Sequence, residues 1–158
     1  MFAGITRLAV ASKCDSGWMD ASFVDLGCLY FKNTPMNYWD ANVYCQDRGS
    51  HLVEVFTPEG SEFLVMEMEV WEDHDGEDSF WWGGGSDIGR EGQWFWQHSL
   101  LDVGEFVWGN QEPANSTENN YLCFLKDFDY MGAACKTNSD ETKPICQKPA
   151  NDDGEDSE

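Results

Sequence analysis

The sequence predicts an α+β domain. Two observations carry that prediction: two capped segments with apolar faces in the first half, and short aromatic runs split by Gly, Asn and Asp in the second. At 158 residues, 41% hydrophobic and 15% aromatic, the chain is long enough for one domain with a real core and too short for two ordinary ones. Eight Trp and ten Phe make that core bulky.

The first helix is predicted over Asn37 to Gly49, NYWDANVYCQDRG, where Asn37 is a capping residue, Asp40 follows three places on, and Gly49 suits a C′ position. Tyr38, Ala41 and Cys45 share its buried face, with Val43 flanking. HLVEVF, residues 51–56, follows with strand-forming residues. Thr57-Pro58-Glu59 then opens a second helix by N-cap, N1 proline and first-turn acid. On its body, SEFLVMEMEVW, the predicted apolar arc is Phe63, Leu64, Met66 and Val70, and the methionines read as core filler. Glu72 to Asp78, EDHDGED, holds five acids in seven residues. It resembles an EF-hand calcium loop only superficially, because its glycine is misplaced and the closing bidentate acid is missing, and it reads as a solvated turn.

From Ser79 the pattern turns to β: SFWWGGGSD, GQWFWQHS, EFVWGNQEP, YLCFLKDFDY, GAAC and KPICQK. Trp94 and Trp96 alternate as antiparallel strands over a core would require, and Trp82, Trp94, Trp96 and Trp108 read as core rather than as a platform for sugar. The end of the chain, NDDGEDSE, has no apolar residue to bury and reads as disordered.

Thirty acids against nine Lys and Arg give a formal net charge of -21, which repels nucleic acid and anionic membrane surfaces. No segment is apolar for the roughly 20 residues a spanning helix needs. The partners left are cations, basic proteins and neutral surfaces such as glycans. Cys14, Cys28, Cys45, Cys123, Cys135 and Cys146 include no CxxC pair and no histidine at zinc spacing, so they read as disulfides of a secreted, extracellular protein. Spacing alone leaves fifteen pairings open. Residues 1–13 contain Ala9-Val10-Ala11 like a cleavage site, but Arg7 interrupts the apolar run before it; they read as a leader remnant or an N-terminal extension.

No catalytic template fits. His51, His74 and His98 have no GxSxG nearby, His51 to Glu54 is an HxxE without the second histidine of zinc proteases, and Gly83-Gly84-Gly85 lacks the Lys and Ser/Thr of a phosphate loop. The chain reads as non-enzymatic.

The joint pattern of cysteines and tryptophans is more specific. CDSGW at Cys14 to Trp18, GCLYF at Gly27 to Phe31, YWDANVYCQDRGSHLVEV over Tyr38 to Val55, TPEGSEFL at Thr57 to Leu64, WWGGGSDIGREGQWFWQHS from Trp81 to Ser99, and WGNQEP before YLC and PICQ closely resemble the C-type lectin-like domain. The resemblance covers about Cys14 to Gln147. It implies a double-loop fold with two helices flanking antiparallel sheets and a long loop on one side. It also implies the pairs Cys45 with Cys146, Cys123 with Cys135, and Cys14 with Cys28. The organisation expected is then residues 1–13, a lectin-like domain at 14–147, and an acidic tail at 148–158.

The long loop of that resemblance is QEPANSTENNYLC, Gln111 to Cys123. Sugar-binding members hold a calcium ion there with Glu-Pro-Asn, an acid before the next cysteine, and a Trp-Asn-Asp turn before the following one. Glu112 and Pro113 match, but Ala114 replaces the amide, Tyr121 the acid, and Tyr130-Met131-Gly132 the turn. Calcium takes 6 to 8 oxygens. Calcium stays a candidate cofactor only through Glu112, Asn115, Glu118, Asp127 and Asp129 in a shifted register. Glu112, Pro113, Asn115, Glu118 and Asn120 are the candidate long-loop ligand residues, and Asn115-Ser116-Thr117 is a sequon that would place a glycan on this loop. The expected function is recognition of a glycan or glycoprotein surface with a degenerate calcium site, as in pathogen recognition. The alternative is a matrix protein that assembles with copies of itself.

Overall fold

In the computed structural model the described residues are 11–75, 80–138 and 141–151. Outside them lie most of the leader remnant, residues 76–79 with the end of the acidic segment Glu72 to Asp78, residues 139–140 and the tail from 152 onward; the first four residues of that acidic segment continue the second helix, Pro58–Asp75, where a solvated turn was expected.

Strand β1 (Met19–Asp20) pairs with β2 (Cys28–Phe31), followed by α1 (Tyr38–Gln46), β3 (His51–Leu52) and α2 (Pro58–Asp75). The second half supplies β4 (Phe80–Ser86), β5 (Phe95–Trp96), β6 (Tyr121–Leu125), β7 (Met131–Cys135) and β8 (Thr142–Lys148). The sheet order is β1-β2-β8-β4-β6-β7, with β3 added on β8 and β5 on β4. The contact between β4 and β8 is parallel, so the sheet is mixed rather than wholly antiparallel as the resemblance implied. The chain makes a long excursion between those two strands, which allows both to run the same way.

Helix α1 forms as its sequence dictates. Asn37 Oδ1 accepts from Asp40 N at 2.8 Å, and Tyr38, Ala41 and Cys45 are buried. Gly49 takes φ +67°, the left-handed turn expected after the helix, while Val43 faces solvent. In α2, Thr57 Oγ1 accepts from Gly60 N at 2.9 Å, as an N-cap should. Its apolar arc differs from the expectation: Leu64 and Met68 are buried, Phe63 packs on the edge of the core, and Met66 and Val70 are exposed. Gly60 explains the rotation. A Cβ there would stand 3.3 Å from the Val24 carbonyl, so the ridge of Gly60, Leu64 and Met68 is where the helix lies closest to the chain.

Two further expectations change. Of HLVEVF only His51 and Leu52 form a strand. EFVWGNQEP contains a 3₁₀ turn, Glu105–Val107, instead of a strand, with Trp108 bridging to Gly132.

Trp81 and Trp82 on β4 are both fully buried and point to opposite faces, as successive strand residues must. Trp81 packs with Phe31 and Trp71, whereas Trp82 packs with Tyr38 and donates from Nε1 to the Met36 carbonyl at 2.9 Å. Trp94 and Trp96 are buried and Trp108 lies against the same core, which agrees with the core reading of these rings. The glycines after Trp82 have a packing reason: a Cβ on Gly83 would come within 2.8 Å of the Phe124 ring, and one on Gly84 within 2.8 Å of the Leu52 carbonyl.

Disulfides join Cys14 to Cys28, Cys45 to Cys146 and Cys123 to Cys135. The second ties α1 to β8 across 101 residues, and the third links β6 to β7. Lys148, the first residue assigned to the tail, is the last of β8, and its ammonium lies 2.6 Å from Asp15. Beyond it, Asn151 N donates to the Lys13 carbonyl at 2.7 Å.

Candidate functional site

The long loop leaves the 3₁₀ turn at Trp108 and enters β6 at Tyr121. The Glu112-Pro113 bond is cis. Glu112 is half-buried, and its Oε1 accepts from Ala114 N at 3.0 Å and from Ala134 N at 2.9 Å. The one carboxylate that matches the calcium pattern therefore pins its own loop to β7.

The other candidates are dispersed. Asn115 is exposed, Glu118 pairs with Lys136 at 3.4 Å on the surface, and Asn120 Nδ2 donates to the Thr117 carbonyl at 3.0 Å. Asp127 sits in a second 3₁₀ turn, Lys126–Phe128, and Asp129 caps it with φ +56°. Tyr121 is buried with its ring stacked on Tyr38, centroids 3.9 Å apart, and burial followed by the Asp87 charge pushes its phenol pKa up. Gly132, at the place of an acid, packs against the Val107 carbonyl.

Among the described residues no three His, Cys, Asp or Glu side chains gather as a metal cage. The donor set does not fit calcium. Ala114 and Gly132 bring no side-chain oxygen, Tyr121 is turned into the core, and Glu112 already accepts two backbone N–H groups.

Two polar groups escape a reading of the sequence. Asp87, just after β4, is 2% exposed; its Oδ2 accepts from Gly92 N at 2.9 Å and its Oδ1 has no hydrogen-bond partner among the described residues. Its only sequence signal is an aspartate between a strand and a glycine-rich turn. The second group lies just after β3, against the turn that follows β5, where Glu54 is 1% exposed and its Oε2 accepts from His98 N at 2.7 Å and Ser99 N at 3.3 Å. Beside it the rings of His51 and His98 stack with centroids 3.9 Å apart and planes 9° from parallel. Burial lowers the His51 pKa. No local pattern announces this cluster, because His51 and Glu54 meet His98 only through the fold.

The geometry can be set beside known proteins. The Lectin C-type domain family model matches residues 34–148, most of the chain. The chain belongs to the C-type lectin family. Among curated relatives, this C-type lectin domain is similar to C-type lectin domain family 4 member M of Nomascus concolor, 26% identical over 141 residues, 87% of this chain and 32% of that protein. The chain thus spans about a third of the length of that relative. It is also similar to a perlucin-like protein of Mytilus galloprovincialis, 25% identical over 134 residues, 85% of this chain and 82% of that one.

Among solved structures, the cow CD23 C-type carbohydrate-recognition domain, crystallised in the presence of a GlcNAc2Man3 oligosaccharide, aligns at TM-score 0.72 and 19% identity, covering 90% of this chain and 100% of that one. A calcium-independent type II antifreeze protein aligns at TM-score 0.70 and 21% identity, covering 87% and 95%. At these identities the likeness is one of fold. The fold is that of C-type lectins, and no helix among the described residues is long and apolar enough to cross a membrane.

Proposed function

We propose that this C-type lectin domain is a secreted recognition module that binds glycan or glycoprotein surfaces without calcium in its long loop, in a role such as innate pattern recognition. The domain is assigned to residues 14–147. Family membership supports the carbohydrate side of this reading. The observation that carries the metal-free side is that Glu112 Oε1 accepts from both Ala114 N and Ala134 N while Ala114 and Gly132 bring no side-chain oxygen to complete a cage. The exposed Asn115 would carry a glycan on the same loop and crowd the surface around it.

A glycan array probed in EDTA and again in calcium tests the proposal. Equal binding in both is the expected result. Binding that needs calcium and is abolished by Glu112→Gln overturns it.

A second reading, self-assembly, draws on exposed apolar side chains of α1 and of the segments after β4 and β5: Trp39 is 56%, Ile88 61% and Leu100 73% exposed. Concentration-dependent light scattering by the glycan-free protein would favour it.

A further inference from the structure

We infer that a cavity of about 190 Å³, bordered by α1, β3, Gly84 and the Gln97–His98 segment, binds one neutral sugar ring by hydrogen bonds alone. The inference rests on the glycan-binding reading above and gives it a place in the fold, away from the long loop.

Size comes first. A cavity of roughly 150 Å³ accommodates benzene, so this one has the capacity of a single six-membered ring with part of its substituents. The rest of a longer glycan would stay outside.

The lining then selects the chemistry. Glu54, 1% exposed, is on the lining, with Oε2 held by His98 N and Ser99 N, while Oε1 accepts from no described residue. Asn42 and Gln46, four residues apart, share one side of α1, and neither side-chain amide has a hydrogen-bond partner among the described residues. The Tyr38 hydroxyl donates to Gln97 Oε1, which leaves the two N–H bonds of the Gln97 amide free to donate. Burial also raises the Tyr38 pKa, so its hydroxyl keeps the proton it donates. His51 Nδ1 lies 2.8 Å from the Leu52 carbonyl and must donate to it, so in the neutral ring Nε2 holds the lone pair.

The wall therefore offers a carboxylate acceptor, an imidazole acceptor and several amides that both donate and accept. A sugar hydroxyl also donates and accepts, and a ring bearing several matches this set. Charged ligands match it less well. An anion would meet Glu54 and a chain of net charge -21. A cation would find Glu54 as the single acid among the described residues of the lining, its Oε2 already held by two backbone N–H groups. His51, Glu54 and His98 also border a neighbouring cavity of about 440 Å³ that includes Phe56 and Ser99, which provides room for a second sugar unit.

The test uses the whole chain, wild type and the variants Asn42→Ala and Gln97→Ala, on a glycan array in EDTA and in titrations with glucose, galactose, mannose and N-acetylglucosamine followed by amide resonances. Asn42 is half-buried and Gln97 exposed, and the thermal midpoint of each variant is measured alongside to check that it folds. The expected result is metal-free binding by wild type, weakened about three- to tenfold by each variant, with shifts at Gly84 and Gln97. Wild-type binding that both variants retain, with shifts confined to Glu112 to Asn120, overturns the cavity assignment and leaves the glycan-binding reading standing. Wild type that binds no glycan in EDTA or calcium overturns both.

Discussion

Glu112→Ala separates a structural carboxylate from a metal ligand. The side chain accepts two backbone hydrogen bonds, from Ala114 N at 3.0 Å and Ala134 N at 2.9 Å, the first closing the loop on itself and the second tying it to β7. A hydrogen bond to a charged group contributes about 1.5 to 3 kcal/mol when well shielded, and solvent reaches this half-buried pair. Together they stabilise the fold by about 1 to 3 kcal/mol. For a domain of this size that lowers the thermal midpoint by about 3 to 10 °C. Glu112→Gln keeps an acceptor oxygen and should lose less. The measurement is thermal unfolding in EDTA and in calcium, with hydrogen exchange at the Ala114 and Ala134 amides. The drop should be the same in both buffers, and both amides should exchange faster in Glu112→Ala. A ligand held at 100 times its Kd stabilises by about 2.7 kcal/mol, so a true calcium site would raise the wild-type midpoint by several degrees. That rise, or an unchanged midpoint and unchanged exchange in Glu112→Ala in EDTA, would refute the reasoning.

Four more outcomes are expected. Trp96→Ala should cost about 3 to 5 kcal/mol in denaturant unfolding, since the ring is fully buried; an unchanged midpoint would return Trp96 to the surface. Stability should decline as pH falls below about 6.5, because the unfolded chain takes up a proton at His51 that the folded chain, with its lowered pKa, resists. A second decline is expected as pH drops from about 4 toward 2, where Asp20, held at about 2 by Lys13 N and by Ser22, loses its charge; His51→Gln should remove only the first decline in an acid titration. Deleting residues 152–158 should leave the thermal midpoint within a degree or so, whereas truncation before Asn151 also removes the hydrogen bond to Lys13 and should lower it measurably.

The sequence by itself determined the features written in neighbouring residues. Asn37 and Gly49 bracket α1 because capping and a left-handed turn are local requirements, and Thr57-Pro58 starts α2 for the same reason. Large rings between glycines had to be core, and Trp81, Trp82 and Trp96 are fully buried. The order of cysteines and tryptophans was enough for the family, and the loss of side-chain oxygens at Ala114 and Gly132 was legible residue by residue. Tertiary structure decided what depends on distant partners. Apolar residues occur on more than one side of α2, and the close approach at Gly60 turned Leu64 and Met68 inward while leaving Met66 and Val70 in solvent. The direction of β4 against β8 is set by how the chain between them returns, which strand propensity does not encode. Glu112 looks like a calcium ligand in its own loop, and only the arrival of Ala134 on β7 converts it into a loop anchor. His51 and Glu54 meet His98 because β3 and the turn after β5 come together; a buried carboxylate needs donors wherever the fold provides them, and these backbone N–H groups lie more than forty residues along the chain.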